Sequence, residues 1–418
     1  MKTSFLTSDQ PAAQRPGHTR TAGFTCQGRY GRKMKCRRLM TLVFAPLLIA
    51  VLNGCGGSSS STPMQGPVPA QVITTVPIGV VPVAVAVNSS TNRIYVANRG
   101  DGVSPGNVMA IDGATNAVTV VATAGVGPCG IAVNSLSNKI YVTNSYEDSV
   151  TVIDGGANNT QTISLTVGSF PCAVAVDTAT NMVYVANYGR GTITVMDGST
   201  NNPTTVPVAN GPTNIAINSA TNKIYVSNSR RGSASPLTVI DGATLQTTSV
   251  PLDPLVSGTS YVALNSVTNS VYVSGGVIVT VIDGATLATR TLTADGGSLG
   301  AIGLNANTNK VYVANNGTNS VEVIDGATMG TLMVPTGQYP GVIAVDEALN
   351  QIYVLNRDSG TVTVIDGASN ATSLLSVGLS PIAATVNPTT HRVYVVNQCG
   401  SDSKCSTNGT LTVVEGPH

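Results

Sequence analysis

A chain of 418 residues has room for two or three ordinary domains, yet only 10% of it is charged and 42% is hydrophobic, with 44 Gly, 4% aromatic residues and no Trp. That mixture of small, β-branched and turn-forming residues excludes a coiled coil, an acidic disordered chain and a helical bundle. The formal charge of +1 averages two unlike parts: residues 1–54 carry 9 Lys/Arg and 1 acid, whereas residues 55–418 carry 12 and 19, a net charge of −7, which argues against a nucleic-acid binder held by phosphate contacts.

The first predicted element is an address. Arg32, Lys33, Lys35, Arg37 and Arg38 precede an apolar stretch from Leu39 to Leu52. At ~1.5 Å per residue this stretch spans roughly 21 Å, short of the ~30 Å hydrocarbon core of a bilayer, so it reads as a signal segment and not as a stable transmembrane helix. It closes on Leu52-Asn53-Gly54-Cys55, which resembles the lipobox of bacterial lipoproteins. That resemblance implies cleavage before Cys55 and a diacylglycerol on its thiol; Asn53 departs from the usual small residue. Residues 1–33 read as an over-long gene model, with Met34 as the more normal start. Gly56 to Pro69, Gly/Ser-rich and then Pro-rich, reads as a flexible tether. The expected organisation is a leader over 1–54, a lipidated Cys and tether over 55–71, and one repeat domain over 72–418.

Within that domain, Tyr-Val recurs at Tyr95, Tyr141, Tyr184, Tyr225, Tyr272, Tyr312, Tyr353 and Tyr394, at intervals of 46, 43, 41, 47, 40, 41 and 41. A second marker, hydrophobic-Asp-Gly, keeps phase with it at Asp112, Asp154, Asp197, Asp241, Asp283, Asp325 and Asp366, with Glu415 as the eighth copy. A period of about 42 is the size of a four-stranded propeller blade. In the second unit the predicted strands are Gly130 to Asn134, Lys139 to Asn144, Val150 to Ile153 and Thr160 to Val167. Val, Ile, Thr and Tyr fill them, and Asn, Asp and Gly fill the connections. Alternation is weak, as expected of a sheet buried on both faces. Asp-Gly predicts a type I′ hairpin with positive φ at both central residues.

The last unit stops at its third strand, Thr410 to Val414, and the first is preceded by an extra strand, Val72 to Pro77. Pairing of the two would close the ring without a free edge. The fold class is therefore all-β, an eight-bladed β-propeller, with seven blades plus an irregular unit as the alternative.

Ile94-Tyr95-Val96-Ala97-Asn98, Ile140-Tyr141-Val142-Thr143-Asn144 and Ile224-Tyr225-Val226-Ser227-Asn228 resemble the YVTN repeat of surface-layer and extracytoplasmic β-propellers. The resemblance covers residues 72–418, and Tyr272-Val273-Ser274-Gly275 and Val414-Glu415-Gly416 depart from it. It implies a propeller with a cell-surface habit and no single shared activity.

Four cysteines remain beyond Cys55: Cys129, Cys172, Cys399 and Cys405. The short Cys399–Cys405 spacing predicts a disulfide and an oxidising compartment. Cys129 and Cys172 hold the same register in consecutive repeats, each after a Pro, and form either a cross-blade bridge or two buried thiols.

The chemical inventory is sparse. After processing only His391 and His418 remain, so a Ser-His-Asp triad or a multi-His metal site is hard to build. Eight of the nineteen acids stand at the repeated turn position. The repeat Asn residues, among them Asn98, Asn187 and Asn315, read as groups satisfying loop backbone, and the repeat tyrosines as packing between blades. No catalytic residue, metal or cofactor is expected, and the absence of Trp disfavours quinone-cofactor docking motifs.

Function must then reside in the loops. The connections into the first strand and between strands two and three share one face and vary, whereas the opposite connections repeat as Asn-Ser-x-Thr-Asn and Asp-Gly-Ala-Thr. On the variable face Arg99, Tyr188, Arg190, Arg230, Arg231 and Arg357 are the candidate binding residues, because Arg offers planar bidentate donors to carboxylates. The expectation is a monomeric, lipid-anchored envelope protein, facing the periplasm or the cell surface, that binds an envelope protein or a surface polysaccharide without catalysis. The anchor would be its sole membrane contact, and nucleic acid is not a partner. The alternative is an extracytoplasmic lyase or lactonase-like enzyme using the central channel.

Overall fold

The computed structural model describes residues 69–229, 236–256, 258, 260–294, 296–400, 405 and 408–417. Residues 64–418 form one compact unit. Its strands make eight four-stranded antiparallel sheets. Each first strand packs beside the first strands of the sheets before and after it, and the last, Leu379–Val386, lies beside the earliest, Pro82–Asn88. This is an eight-bladed β-propeller, as the two repeat markers predict. Numbered along the chain, the second blade runs Pro128–Asn134, Lys139–Asn144, Ser149–Asp154 and Thr160–Ser164, and the other blades follow the same plan.

Closure occurs at the predicted place. Strand Gln71–Pro77 pairs antiparallel with Thr410–Glu415, from Gln71 against Glu415 to Pro77 against Thr410. The closing strand is mostly exposed, so backbone bonding and few side chains hold it. Its partner is buried at Leu411, Val413 and Val414.

The core is distributed over the seams between blades. Tyr394, Val396, Leu411 and Val413 of the eighth blade pack against Ile94, Val96 and Ile111 of the first. Tyr225 and Val239 of the fourth pack against Val271 and Val273 of the fifth. All eight repeat tyrosines are fully buried, which explains the weak alternation: both sheet faces meet a neighbour. Burial, aided by the carboxylates of Asp197, Asp177 and Asp366 respectively, pushes the phenols of Tyr141, Tyr184 and Tyr312 up to about 12.

The repeat Asn after Tyr-Val is also buried; Asn228 donates to the loop carbonyl of Pro236 at 2.7 Å, but in other blades the partner is a side chain. Asn144 donates from Nδ2 to Ser149 Oγ and Thr151 Oγ1 on the third strand, and Asn187, Asn356 and Asn397 do the same with Thr194, Thr363 and Thr412. Where the fifth blade has Gly275 in that place, the buried Thr280 hydroxyl has no hydrogen-bond partner among the described residues. The amide thus ties the second strand to the third at the variable face.

Among the described residues two disulfides are present, Cys129–Cys172 and Cys399–Cys405, with Cα–Cα distances of 5.1 and 4.1 Å. The first joins the first strands of blades two and three across a sequence separation of 43, the second closes a separation of 6. By loop-closure entropy the longer bridge contributes about 4 kcal/mol and the shorter about 2 kcal/mol. Denaturation midpoints of Cys129→Ser with Cys172→Ser, against Cys399→Ser with Cys405→Ser, are expected to fall in that order.

Candidate functional site

Antiparallel pairing puts alternate connections on opposite faces, and the two faces differ in what their side chains do. On the repetitive face each first strand ends in a buried Asn or Asp, which reaches the next blade. Asn88, Asn134, Asn218, Asn265, Asn305 and Asn387 donate at 2.8 Å to Asn138, Asn181, Asn269, Asn309, Asn350 and Asn92. Between blades seven and eight the pair is Asp346 Oδ2 with His391 Nδ1, 2.9 Å apart. The acceptor position has positive φ in every blade, His391 included, and Asn tolerates that conformation best among non-glycine residues. His391 is therefore a seam residue.

This geometry corrects the expected type I′ turn. The Gly after each turn Asp does not have positive φ; the left-handed residue comes four positions after the Asp, at Asn116, Asn158 or Leu245 for example. The carboxylate caps the turn: Asp112 Oδ1 accepts the Ala114 and Thr115 N–H at 3.0 and 2.9 Å. Those bonds, chiefly with Thr115, hold the Asp112 carboxyl below its ordinary range. The Gly is required by close approach instead: a Cβ at Gly113 would lie 2.2 Å from Asn92 Oδ1, and at Gly242 2.0 Å from Asn222 Oδ1. Basic residues on this face are also employed. Arg93 reaches Gly155 O, Lys139 reaches Gly198 O and Lys310 reaches Gly367 O in the following blade. The face is occupied with holding the ring together.

The variable face is different. Of the sequence-predicted candidates, Arg99, Arg190 and Arg357 stand on blades one, three and seven, spread around the ring. Arg190 donates from Nε to Val167 O at 2.9 Å, Arg99 to Pro128 O at 3.5 Å and Arg357 to Ser380 Oγ at 3.4 Å. Arg230, Arg231 and Cys55 lie outside the described residues. Tyr188 is placed in a cavity of about 520 Å³ spanning blades two to four, with Tyr146, Phe170, Cys172 and Pro212 among its walls. Tyr146, Phe170 and Tyr188 are 58, 50 and 46% exposed, so three half-open aromatic rings gather at one arc of the face.

Sequence reasoning missed Phe170, although a signal existed. The residue before the Pro that opens a first strand has positive φ: Gly127 in blade two, Gly211 in blade four, but Val81, Phe170 and Tyr339 in blades one, three and seven. Aligning the repeats shows one left-handed slot filled by glycine in some blades and by a larger side chain in others. Tyr146 and Tyr188 have room because glycines lie beneath them; a Cβ at Gly127 would fall 2.6 Å from the Tyr146 ring, and at Gly211 3.3 Å from that of Tyr188.

No protein-family model and no curated protein matches the chain. Among solved structures it is similar to Kuenenia stuttgartiensis hydrazine synthase, at 17% identity and a TM-score of 0.57 over 81% of this chain and 96% of that one. It is also similar to a streptogramin B lyase, at 13% identity and a TM-score of 0.54 over 68% of this chain and 93% of the other. At such identities the likeness is one of fold.

Proposed function

We propose that this chain is an extracytoplasmic, lipid-anchored binding module of the bacterial cell envelope, with a propeller of the YVTN type whose variable face receives an envelope protein or polysaccharide. The observation that supports it is the division of labour between faces. The turn carboxylates of one face cap their own turns and its Asn pairs and basic residues are engaged in seams, while the other face presents half-exposed aromatic rings around a concave site. Exposed aromatics beside a cavity, on loops carried by a rigid scaffold, are the usual make-up of a recognition surface. Two disulfides accord with an oxidising compartment, and the Leu52–Cys55 motif with anchoring at Cys55. Arg99, Arg190, Arg230, Arg231 and Arg357 would supply carboxylate contacts around the rim. The lyase or lactonase-like alternative gains no specific observation: His391 is paired with Asp346 at the opposite face, and the two enzymes of similar fold share only architecture with this chain.

The test is capture from envelope extracts by residues 64–418. Arg99→Ala with Arg357→Ala is expected to reduce the captured material several-fold. Leu136→Ser with Val267→Ser, at exposed positions of the repetitive face, is expected to leave it unchanged. Loss in the second pair alone would place the site on the wrong face.

A further inference from the structure

The cavity of blades two to four has a definite chemistry. Three of its polar side chains are already engaged: Ser145 Oγ donates to Pro171 O, Thr213 Oγ1 to Ser260 O at 3.3 Å, and Asn214 Nδ2 to the same carbonyl at 3.1 Å. Charged groups at the rim are engaged as well. Glu147 accepts the Val126 N–H at 2.8 Å, Asp148 accepts those of Gly168 and Phe170 at 2.7 and 2.8 Å, and Arg190 holds Val167 O. What remains facing the cavity is predominantly ring and aliphatic surface. A charged or polyhydroxylated ligand would lose its water here and find few free partners, which costs free energy, whereas an apolar one loses nothing.

Phe170 is the second observation. Its φ is 45°, and for a bulky L-residue the left-handed region costs roughly 1–2 kcal/mol. Glycine fills the same slot in the blades on either side, at Gly127 and Gly211. The slot is left-handed at Val81, Tyr339 and Ser380 too, so the conformation belongs to the repeat, and Asp148 Oδ1 holds it by accepting the Phe170 N–H. What is particular to Phe170 is a half-exposed ring in the cavity wall. The floor beneath is stiff, since Cys172 is tied to Cys129 and its carbonyl accepts Thr143 Oγ1 at 2.8 Å. A preformed site spends little free energy on ordering when it is filled.

We propose that this cavity is a binding site for an uncharged, ring-bearing apolar small molecule, held between Tyr146, Phe170 and Tyr188. A volume of about 520 Å³ falls in the range of small-molecule sites. The inference rests on the variable face being the working face and adds the ligand class.

The probe is N-phenyl-1-naphthylamine, neutral and fluorescent in apolar sites, titrated into residues 64–418. Saturable binding with a stoichiometry of one is expected. Affinity is expected to fall at least about tenfold in Phe170→Gly and in Tyr188→Ser, the equivalent of about 1.4 kcal/mol. Phe170→Gly suits the left-handed backbone, so its thermal midpoint is expected to hold or rise, which separates loss of the ring from loss of the fold. Tyr339→Gly, the same change on blade seven, is expected to bind as the parent does. Absence of saturable binding, equal binding by Phe170→Gly, or displacement of the probe by a neutral oligosaccharide such as maltohexaose would each overturn the ligand class. Displacement by extract protein, with no small molecule recovered, would overturn it in favour of a partner's inserted side chain. If the probe fails while capture still depends on Arg99 and Arg357, this inference falls and the proposed function stands.

Discussion

Removing the closing strand is expected to destroy cooperative folding of the propeller. Residues 78–418 retain every first, second and third strand, but Thr410–Glu415 loses the partner it has at six registered positions along Gln71–Pro77. At about 1 kcal/mol net per hydrogen bond the loss is about 5 kcal/mol, comparable with the whole stability of many domains. The consequence reaches further than that sum, because the strand left at the edge carries Leu411, Val413 and Val414, all fully buried in the closed ring. An open, flat, apolar edge is a template for intermolecular pairing. Size-exclusion chromatography and thermal unfolding of residues 64–418 against 78–418 check this: a monomer with a sharp transition is expected for the first, and a broad transition with concentration-dependent association for the second. A sharp transition within a few degrees in both would show that the seams alone hold the ring.

The second large effect is expected from a single methyl group. In Gly113→Ala the new Cβ would stand 2.2 Å from Asn92 Oδ1 and 2.7 Å from Asn92 O. Asn92 cannot simply step aside, since its Oδ1 accepts Asn387 Nδ2 at 2.8 Å and its carbonyl accepts the Gly113 N–H at 2.8 Å. This is the seam between the eighth blade and the first. Overpacking together with a lost buried hydrogen bond predicts a destabilisation of about 3 kcal/mol. Gly258→Ala is the comparison: its φ is 79° and nothing lies within 4 Å of a Cβ there, so only the left-handed penalty of about 1 kcal/mol applies. Urea midpoints measure both. In an Asn92→Gly background the Gly113→Ala change is expected to cost less, because the obstructing side chain is gone, but not nothing, because the carbonyl of residue 92 still lies 2.7 Å from the new Cβ. Equal costs in both backgrounds would mean that the Asn92 side chain is not the obstruction and that the backbone, through the carbonyl of residue 92 or the turn conformation, requires Gly113.

That second test concerns the one local signal whose meaning the fold reverses. Asp112-Gly113 reads from sequence as a hairpin dipeptide, and it does lie in the hairpin; yet the glycine answers a contact with the Asn92 side chain and carbonyl, and the left-handed residue is Asn116. A turn dipeptide carries its conformational preference in the sequence, but it does not carry the identity of the atom that approaches it from across the sheet. Asn98, Asn144 and Asn187 follow the same logic. Their recurrence was legible and their side-chain partners on the third strand were not, because a hydrogen bond across a hairpin depends on register.

What the chain determines by itself is everything that repeats. Eight Tyr-Val markers, their phase with seven Asp-Gly turns, and the displaced strand at the N-terminal end of the array specify eight blades and a closure between Val72 and Val414. Strand propensity and hairpin spacing are local, and a blade is a local unit. The Cys399–Cys405 bridge belongs to the same class, being a contact over a few residues. Only the tertiary structure decides what happens between blades: the pairing of Cys129 with Cys172, the commitment of His391 to Asp346, and the convergence of Tyr146, Phe170 and Tyr188 on one cavity. Those residues are separated by whole strands, and a concave site is a property of how three blades are tilted around an axis. No periodicity along the chain encodes that tilt; it results from packing the seams, where buried tyrosines and Asn pairs set one blade against the next.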